Sequence, residues 1–223
     1  MTSILSVLTI SIVLLLTSGC NNIQSENYFE KGVKNIENKK FNFAILNFKK
    51  SLAYKPNNAK AYNNIGISFH GLKLYDSSIF YYDRAIEMKP NDASFIGNRG
   101  IAKNDKNDIT GAISDYNQAI SIDSNFAPFY NNRGFTYLKV DKVKEAKYNF
   151  LLSHSIDPED EKPIANLIGL NYKIKDYEKA IEWCDYYIEK FGFNKKTLKI
   201  KSKLESKIEN QNMDSIFELE IRE

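Results

Sequence analysis

Glycines at positions 32, 66, 100 and 134 stand 34 residues apart, and other residue types keep the same interval. Ala44, Ser78, Ala112, Ala146 and Ala180 make a column of small residues. Phe48, Tyr82, Tyr116 and Phe150 make a column of aromatics, with Ala85 and Ala119 three residues behind two of them. Pro56, Pro90 and Pro158 follow the same register, with Ser124 at the intermediate position. One such match could arise by chance, but several columns in register over four units could not. A repeat of this length is one supersecondary unit that cannot bury its apolar face alone and must stack on its neighbours.

Each column has a packing reason. The glycine lets the first helix of a unit approach the second closely, and the small residue twelve positions on is expected to complete that contact. The aromatic four residues later lies on the same helix face and fills the space toward neighbouring helices. The proline ends the unit, because it pushes the residue before it out of helical conformation.

These residues resemble the tetratricopeptide-repeat (TPR) family. The resemblance implies an all-α fold: an α-solenoid of about five helix–turn–helix units in a right-handed superhelix, with a C-terminal capping helix. The units read as 25–58, 59–92, 93–126, 127–160 and 161–193. In the fifth unit the glycine is Gly169, one residue late, while Ala180 is back in register. An extra residue before Gly169 and a missing one after it would produce that offset. Residues 194–210 suit the cap, with Leu198, Leu204 and Ile208 on one face and Lys195, Lys196, Lys199, Lys203 and Lys207 mostly on a solvated one. Residues 211–223 form an acidic tail.

The N-terminus differs from the rest. Ile4 to Leu16 is apolar, and thirteen helical residues rise roughly 20 Å, too short for a hydrocarbon core of about 30 Å. Thr17-Ser18-Gly19-Cys20 follows, which suits a secretory signal peptide over 1–19. Gly19-Cys20 resembles a bacterial lipobox, which implies acylation of Cys20 and a lipid-anchored tether over 20–24. No Lys or Arg precedes Cys20, and the segment also fits an ordinary signal peptide or a short uncleaved anchor. Lipidation would place the solenoid at the bacterial envelope, at the outer membrane, facing the periplasm or the surface. Cys184 then has no disulfide partner, and its apolar-periodic surroundings read as core.

The charge balance of +3 is too small for the basic footprint of a nucleic-acid binder. His70 and His154 fall in different units without ligand-spaced neighbours, and no phosphate loop or nucleophile motif is present. No catalytic residue, metal ligand, cofactor or small-molecule substrate is therefore expected, and the partners are proteins or peptides.

In TPR proteins the concave groove is lined by the first helix of each unit. There Asn64, Asn98, Asn132 and Asn166 recur at 34-residue spacing, beside Asn63, Asn131, Arg99 and Arg133. A side-chain amide both donates and accepts, so a column of amides can pair with the backbone of an extended peptide. Resemblance to peptide-holding TPR proteins implies that role, while local packing is the competing use of the same residues. Phe29, Asn63 and Gly97 occupy the column where a carboxylate-clamping TPR domain places its first lysine, which disfavours that clamp. Two functions follow: an adaptor or scaffold that takes partner segments in the groove, or a fixed subunit of an envelope assembly or secretion machine that uses its convex face or cap. Tyr81, Tyr186 and Phe193 are the candidates for apolar exposure in the second case.

Overall fold

The computed structural model describes the backbone of residues 21–220 and the side chains of 21–210. Residues 1–20, which hold the expected signal peptide and Cys20, lie outside the described residues. Every described element is an α-helix: α1 (21–37), α2 (Phe41–Tyr54), α3 (Ala59–Gly71), α4 (Tyr75–Met88), α5 (Ala93–Asp105), α6 (Ile109–Ile122), α7 (Ala127–Lys139), α8 (Val143–Ile156), α9 (Glu161–Lys173), α10 (Tyr177–Phe191) and α11 (Lys195–Glu220). Within α2–α6 and within α7–α11, helices consecutive in the chain pack against each other, the arrangement of a TPR solenoid. The chain divides at Ile122 into two compact bodies, α1–α6 and α7–α11.

Local chemistry repeats with the sequence. Each first helix ends in a residue with left-handed backbone: Lys39 (φ 56°), Lys73 (60°), Asn107 (72°), Asp141 (57°) and Lys175 (63°). The next amide then reaches back five residues in a Schellman-type closure, as in Leu74 N–H to the Phe69 carbonyl at 2.9 Å and Asp176 N–H to that of Asn171 at 2.9 Å. First helices start on capping side chains in the same register. Asn58 accepts from Ala61 N–H, Asp92 from Ser94 and Phe95, Asp160 from Lys162, and Asn194 from Lys196 and Thr197. Phe126 stands in this column without a side-chain cap, and Pro128 preorganises the first turn of α7 instead.

The glycine column meets the aromatic column directly. A Cβ on Gly66 would lie 2.7 Å from the Tyr82 ring, and one on Gly134 would lie 2.8 Å from that of Phe150. The small column closes the same seam: Ala44, Ser78, Ala112, Ala146 and Ala180 are fully buried, and Ser78 Oγ donates to the Gly66 carbonyl at 2.8 Å. Fully buried Phe48 and Phe150 fill the interior of their units.

The fifth unit corrects one sequence expectation. α9 begins and ends 34 residues after α7, so no residue is inserted before Gly169. Ile168 occupies the glycine column instead, and buried Cys184 occupies the aromatic one. A large first-helix residue facing a small second-helix residue replaces the opposite order, which conserves volume across the seam. The neighbouring contact changes in the same way. Where other units place small residues such as Ala59 and Ala85, the fifth places Glu161 and Tyr187, whose hydroxyl donates to the Glu161 carboxylate.

α11 starts as the first helix of a sixth repeat. Its onset is 34 residues after that of α9, and its Lys201 pairs with Asp185 of α10 at 2.5 Å. That pair reproduces, three units on, the bond between Arg99 and Asp83. Leu204 is fully buried against the fifth unit, whereas Lys199, Ser202, Lys203, Glu205 and Ser206 are exposed. A polar outer face ends the stack. The helix continues to Glu220, past the expected end of the cap at 210.

Candidate functional site

The first helix of each unit presents the amides named above. They do not simply stack column on column; they pair diagonally. Asn98 Nδ2 donates to Asn63 Oδ1 at 3.1 Å, and Asn166 Nδ2 donates to Asn131 Oδ1 at 2.8 Å. Asn63 and Asn131 are buried, whereas Asn64, Asn98, Asn132 and Asn166 are half-exposed. The buried member thus fixes the rotamer of the half-exposed one and leaves the Oδ1 of Asn98 and Asn166 as available acceptors. Asn64 Oδ1 lies 3.5 Å from Asn63 Nδ2, at the limit of a hydrogen bond. Gly97 stands where the next buried amide would be, so the pairing is not continued by a side chain from that position.

Each of the two arginines has partners within its own body. Arg99 forms a bidentate pair with Asp115 (Nε to Oδ2 2.9 Å, Nη2 to Oδ1 2.7 Å) and a further bond to Asp83 at 2.7 Å. Lys103 adds a second cation 2.9 Å from Asp115, whose side chain is 4% exposed. Burial alone would favour loss of the Arg99 proton, but the Asp115 and Asp83 carboxylates outweigh it and hold the guanidinium charged. Arg99 therefore ties α5 to both α4 and α6. In the fourth unit Asn149 replaces the buried aspartate and accepts from Arg133 Nε at 2.8 Å, while the guanidinium lies 5.5 Å from the Tyr130 ring centre.

The histidines and the remaining cysteine are structural. His70 Nε2 meets Asp105 at 2.9 Å. His154 Nε2 meets the Tyr186 hydroxyl at 3.0 Å, and burial, with Lys190 nearby, lowers its proton affinity. Burial pushes the Cys184 thiol up to about 11, consistent with a packing role. Of the aromatics expected at the surface, Tyr81 and Tyr186 are half-buried and Phe193 is 79% exposed. Sequence reasoning did not find Phe43 and Phe80, exposed at 60% and 57% on second helices, because they sit off the repeat columns.

It also missed a cleft of about 560 Å³ between α9 and α11, whose floor is Gly169. A second cleft of about 320 Å³ adjoins it, sharing Ala165, Ile168 and Ile200. The signal was present in the register. Gly169 falls in the column of Val33, Ile67, Ile101 and Phe135, not in that of the packing glycines.

Residues 59–92 match the family model of the tetratricopeptide repeat, and residues 100–141 match a second model described as a TPR repeat. Among curated proteins, none matches this sequence. Among solved structures, the fold is similar to that of Pseudomonas aeruginosa pilF (18% identity, TM-score 0.73, covering 90% of this chain and 91% of that one). It is also similar to MamA from Desulfovibrio magneticus RS-1 (16% identity, TM-score 0.65, 74% and 94% covered). A tetratricopeptide repeat protein from Parabacteroides merdae gives 14% identity and a TM-score of 0.68, with 88% and 78% covered. At such identities these likenesses speak to the fold alone. Two matched repeats, within helix pairs that keep one 34-residue register, make this chain a tetratricopeptide-repeat protein.

Proposed function

We propose that the chain is a non-catalytic adaptor of the bacterial envelope, anchored through an acylated Cys20, that holds partner segments on the surface of its first helices. The carrying observation is the diagonal amide pairing. Asn63 and Asn131 are spent on orienting Asn98 and Asn166, whose outer acceptors stay available at a half-exposed surface. Preorganised amides bind a peptide backbone without first losing rotamer freedom. Tetratricopeptide repeats in general are protein-interaction modules, which supports the coarse reading.

The test is a crosslinking pulldown from envelope membranes with the native chain and with a variant carrying Ala at Asn64, Asn98, Asn132 and Asn166. A partner captured by the native chain and lost by a still-folded variant supports the reading. Capture of the same partners by both would reduce the amides to packing. Lipid labelling of native and Cys20→Ser chains tests the anchor separately, and label retained by the variant refutes it.

A second reading rests on Phe43, Phe80 and Phe193, whose exposure suits a fixed subunit that buries its second helices or the approach to its cap against a neighbour. Polar replacement of these three would then abolish assembly while the four-asparagine variant still assembled.

A further inference from the structure

Gly169 differs from the packing glycines of the repeat. A Cβ on Gly32, Gly66, Gly100 or Gly134 would collide with an aromatic ring, but a Cβ on Gly169 would meet nothing within 4 Å. It is exposed, and its column carries Val33, Ile67, Ile101 and Phe135 in the other units. The missing side chain leaves the cleft between α9 and α11, walled by Ala165, Ile168, Tyr172, Ile200 and Leu204. A packing glycine is required where it stands, whereas this one holds a space open.

The rim is mainly cationic. Lys203 and Lys207 border the main cleft, and Lys162 and Lys196 border its continuation. All four are exposed, and Lys207 Nζ lies 6.0 Å from the Tyr177 ring centre. Glu161 is the one carboxylate among the described lining residues, and it is engaged by the Tyr187 hydroxyl. An apolar floor with a cationic rim is complementary to an apolar side chain flanked by carboxylates.

We infer that this cleft receives a bulky apolar side chain from an acidic segment of a partner protein, with the side chain seated over Gly169 and the flanking carboxylates on Lys203 and Lys207. The inference rests on the reading that first-helix surfaces bind partner segments, and names the chemistry that one end of that surface selects.

The probe is a fluorescein-labelled synthetic peptide with one phenylalanine between two pairs of carboxylates, titrated against the purified full chain by anisotropy. Control peptides carry alanine for the phenylalanine, or lysines for the carboxylates. Binding should weaken by about tenfold or more when phenylalanine becomes alanine, the effect of burying one such side chain. Gly169→Ile, which restores the side chain of its column, should weaken it as much without lowering the unfolding midpoint. Lys203→Glu with Lys207→Glu should transfer preference to the lysine peptide. Equal binding of the phenylalanine and alanine peptides overturns the inference, as does unaltered binding by Gly169→Ile. Sedimentation is run alongside: native dimers that Gly169→Ile converts to monomers would give the cleft to a second copy and refute a separate partner. A pulldown partner lost with the four asparagines but kept by Gly169→Ile would sink this inference and leave the adaptor reading intact.

Discussion

The same substitution, glycine to alanine in mid-helix, should stabilise at one position of the α7–α11 body and not at another. The intrinsic helix propensity of alanine exceeds that of glycine by about 1 kcal/mol, and both Gly134 and Gly169 lie within helices of thirteen residues. At Gly169 nothing lies within 4 Å of the new methyl, so Gly169→Ala should gain about 1 kcal/mol. At Gly134 the methyl would sit 2.8 and 2.9 Å from two carbons of the Phe150 ring and 3.1 Å from Asn149 Cβ. Phe150 is fully buried, so the ring has no empty space to turn into. Overpacking of this kind costs about 1–3 kcal/mol, which offsets the propensity gain and leaves Gly134→Ala neutral to about 2 kcal/mol destabilising. The two variants should therefore differ by about 1–3 kcal/mol. Urea denaturation followed by helical circular dichroism reads this as midpoints displaced in opposite directions, or as one raised and one unchanged. Equal stabilisation by both would refute the assignment of Gly134 as a contact glycine. Equal destabilisation would refute the open space at Gly169.

Swapping the fifth seam to the pattern of the others, by Ile168→Gly with Cys184→Phe, should recover much of what each single change costs. A coupling of about 1–3 kcal/mol is expected from a double-mutant cycle, and additivity would mean the pair does not compensate. Arg99→Met should destabilise the α1–α6 body by about 2–3 kcal/mol, because buried Asp115 would keep only Lys103; a thermal scan that does not move would contradict the bridge. Lys73→Gly should raise stability by about 0.5–1 kcal/mol by relieving a left-handed lysine at the end of α3, checked by the same scan. His154 binds its proton less readily when folded, so the unfolded chain takes up more protons near pH 6.5. Stability from this residue is complete above that pH and falls as acid is added, and His154→Gln should flatten the slope in denaturation midpoints measured on either side of it.

How much was legible beforehand depends on what a period can encode. Residues 34 apart must occupy equivalent places, so the helix pairs, the buried small column and the buried aromatics could be read before any coordinates. The asparagines could be placed on first helices for the same reason. Their partners could not be read, because the bond from Asn98 runs to Asn63 and crosses between columns one residue apart. For Arg99 the sequence left a groove role and local packing both open, and Asp83 and Asp115 on either side of it decide for packing.

The fifth unit separates the two kinds of information most sharply. By itself the sequence determined the register, and Ala180 and Gly169 are both fixed within it. The pattern reads as a packing glycine shifted by one residue and not as a new position, because a pattern records which residues recur and not what faces them. Only the tertiary structure decided between these, by showing Ile168 against Cys184 and open space over Gly169. The physical reason is that volume is conserved across a seam between two helices, so either side can carry the bulk. Which side does so is visible only when both helices are in place.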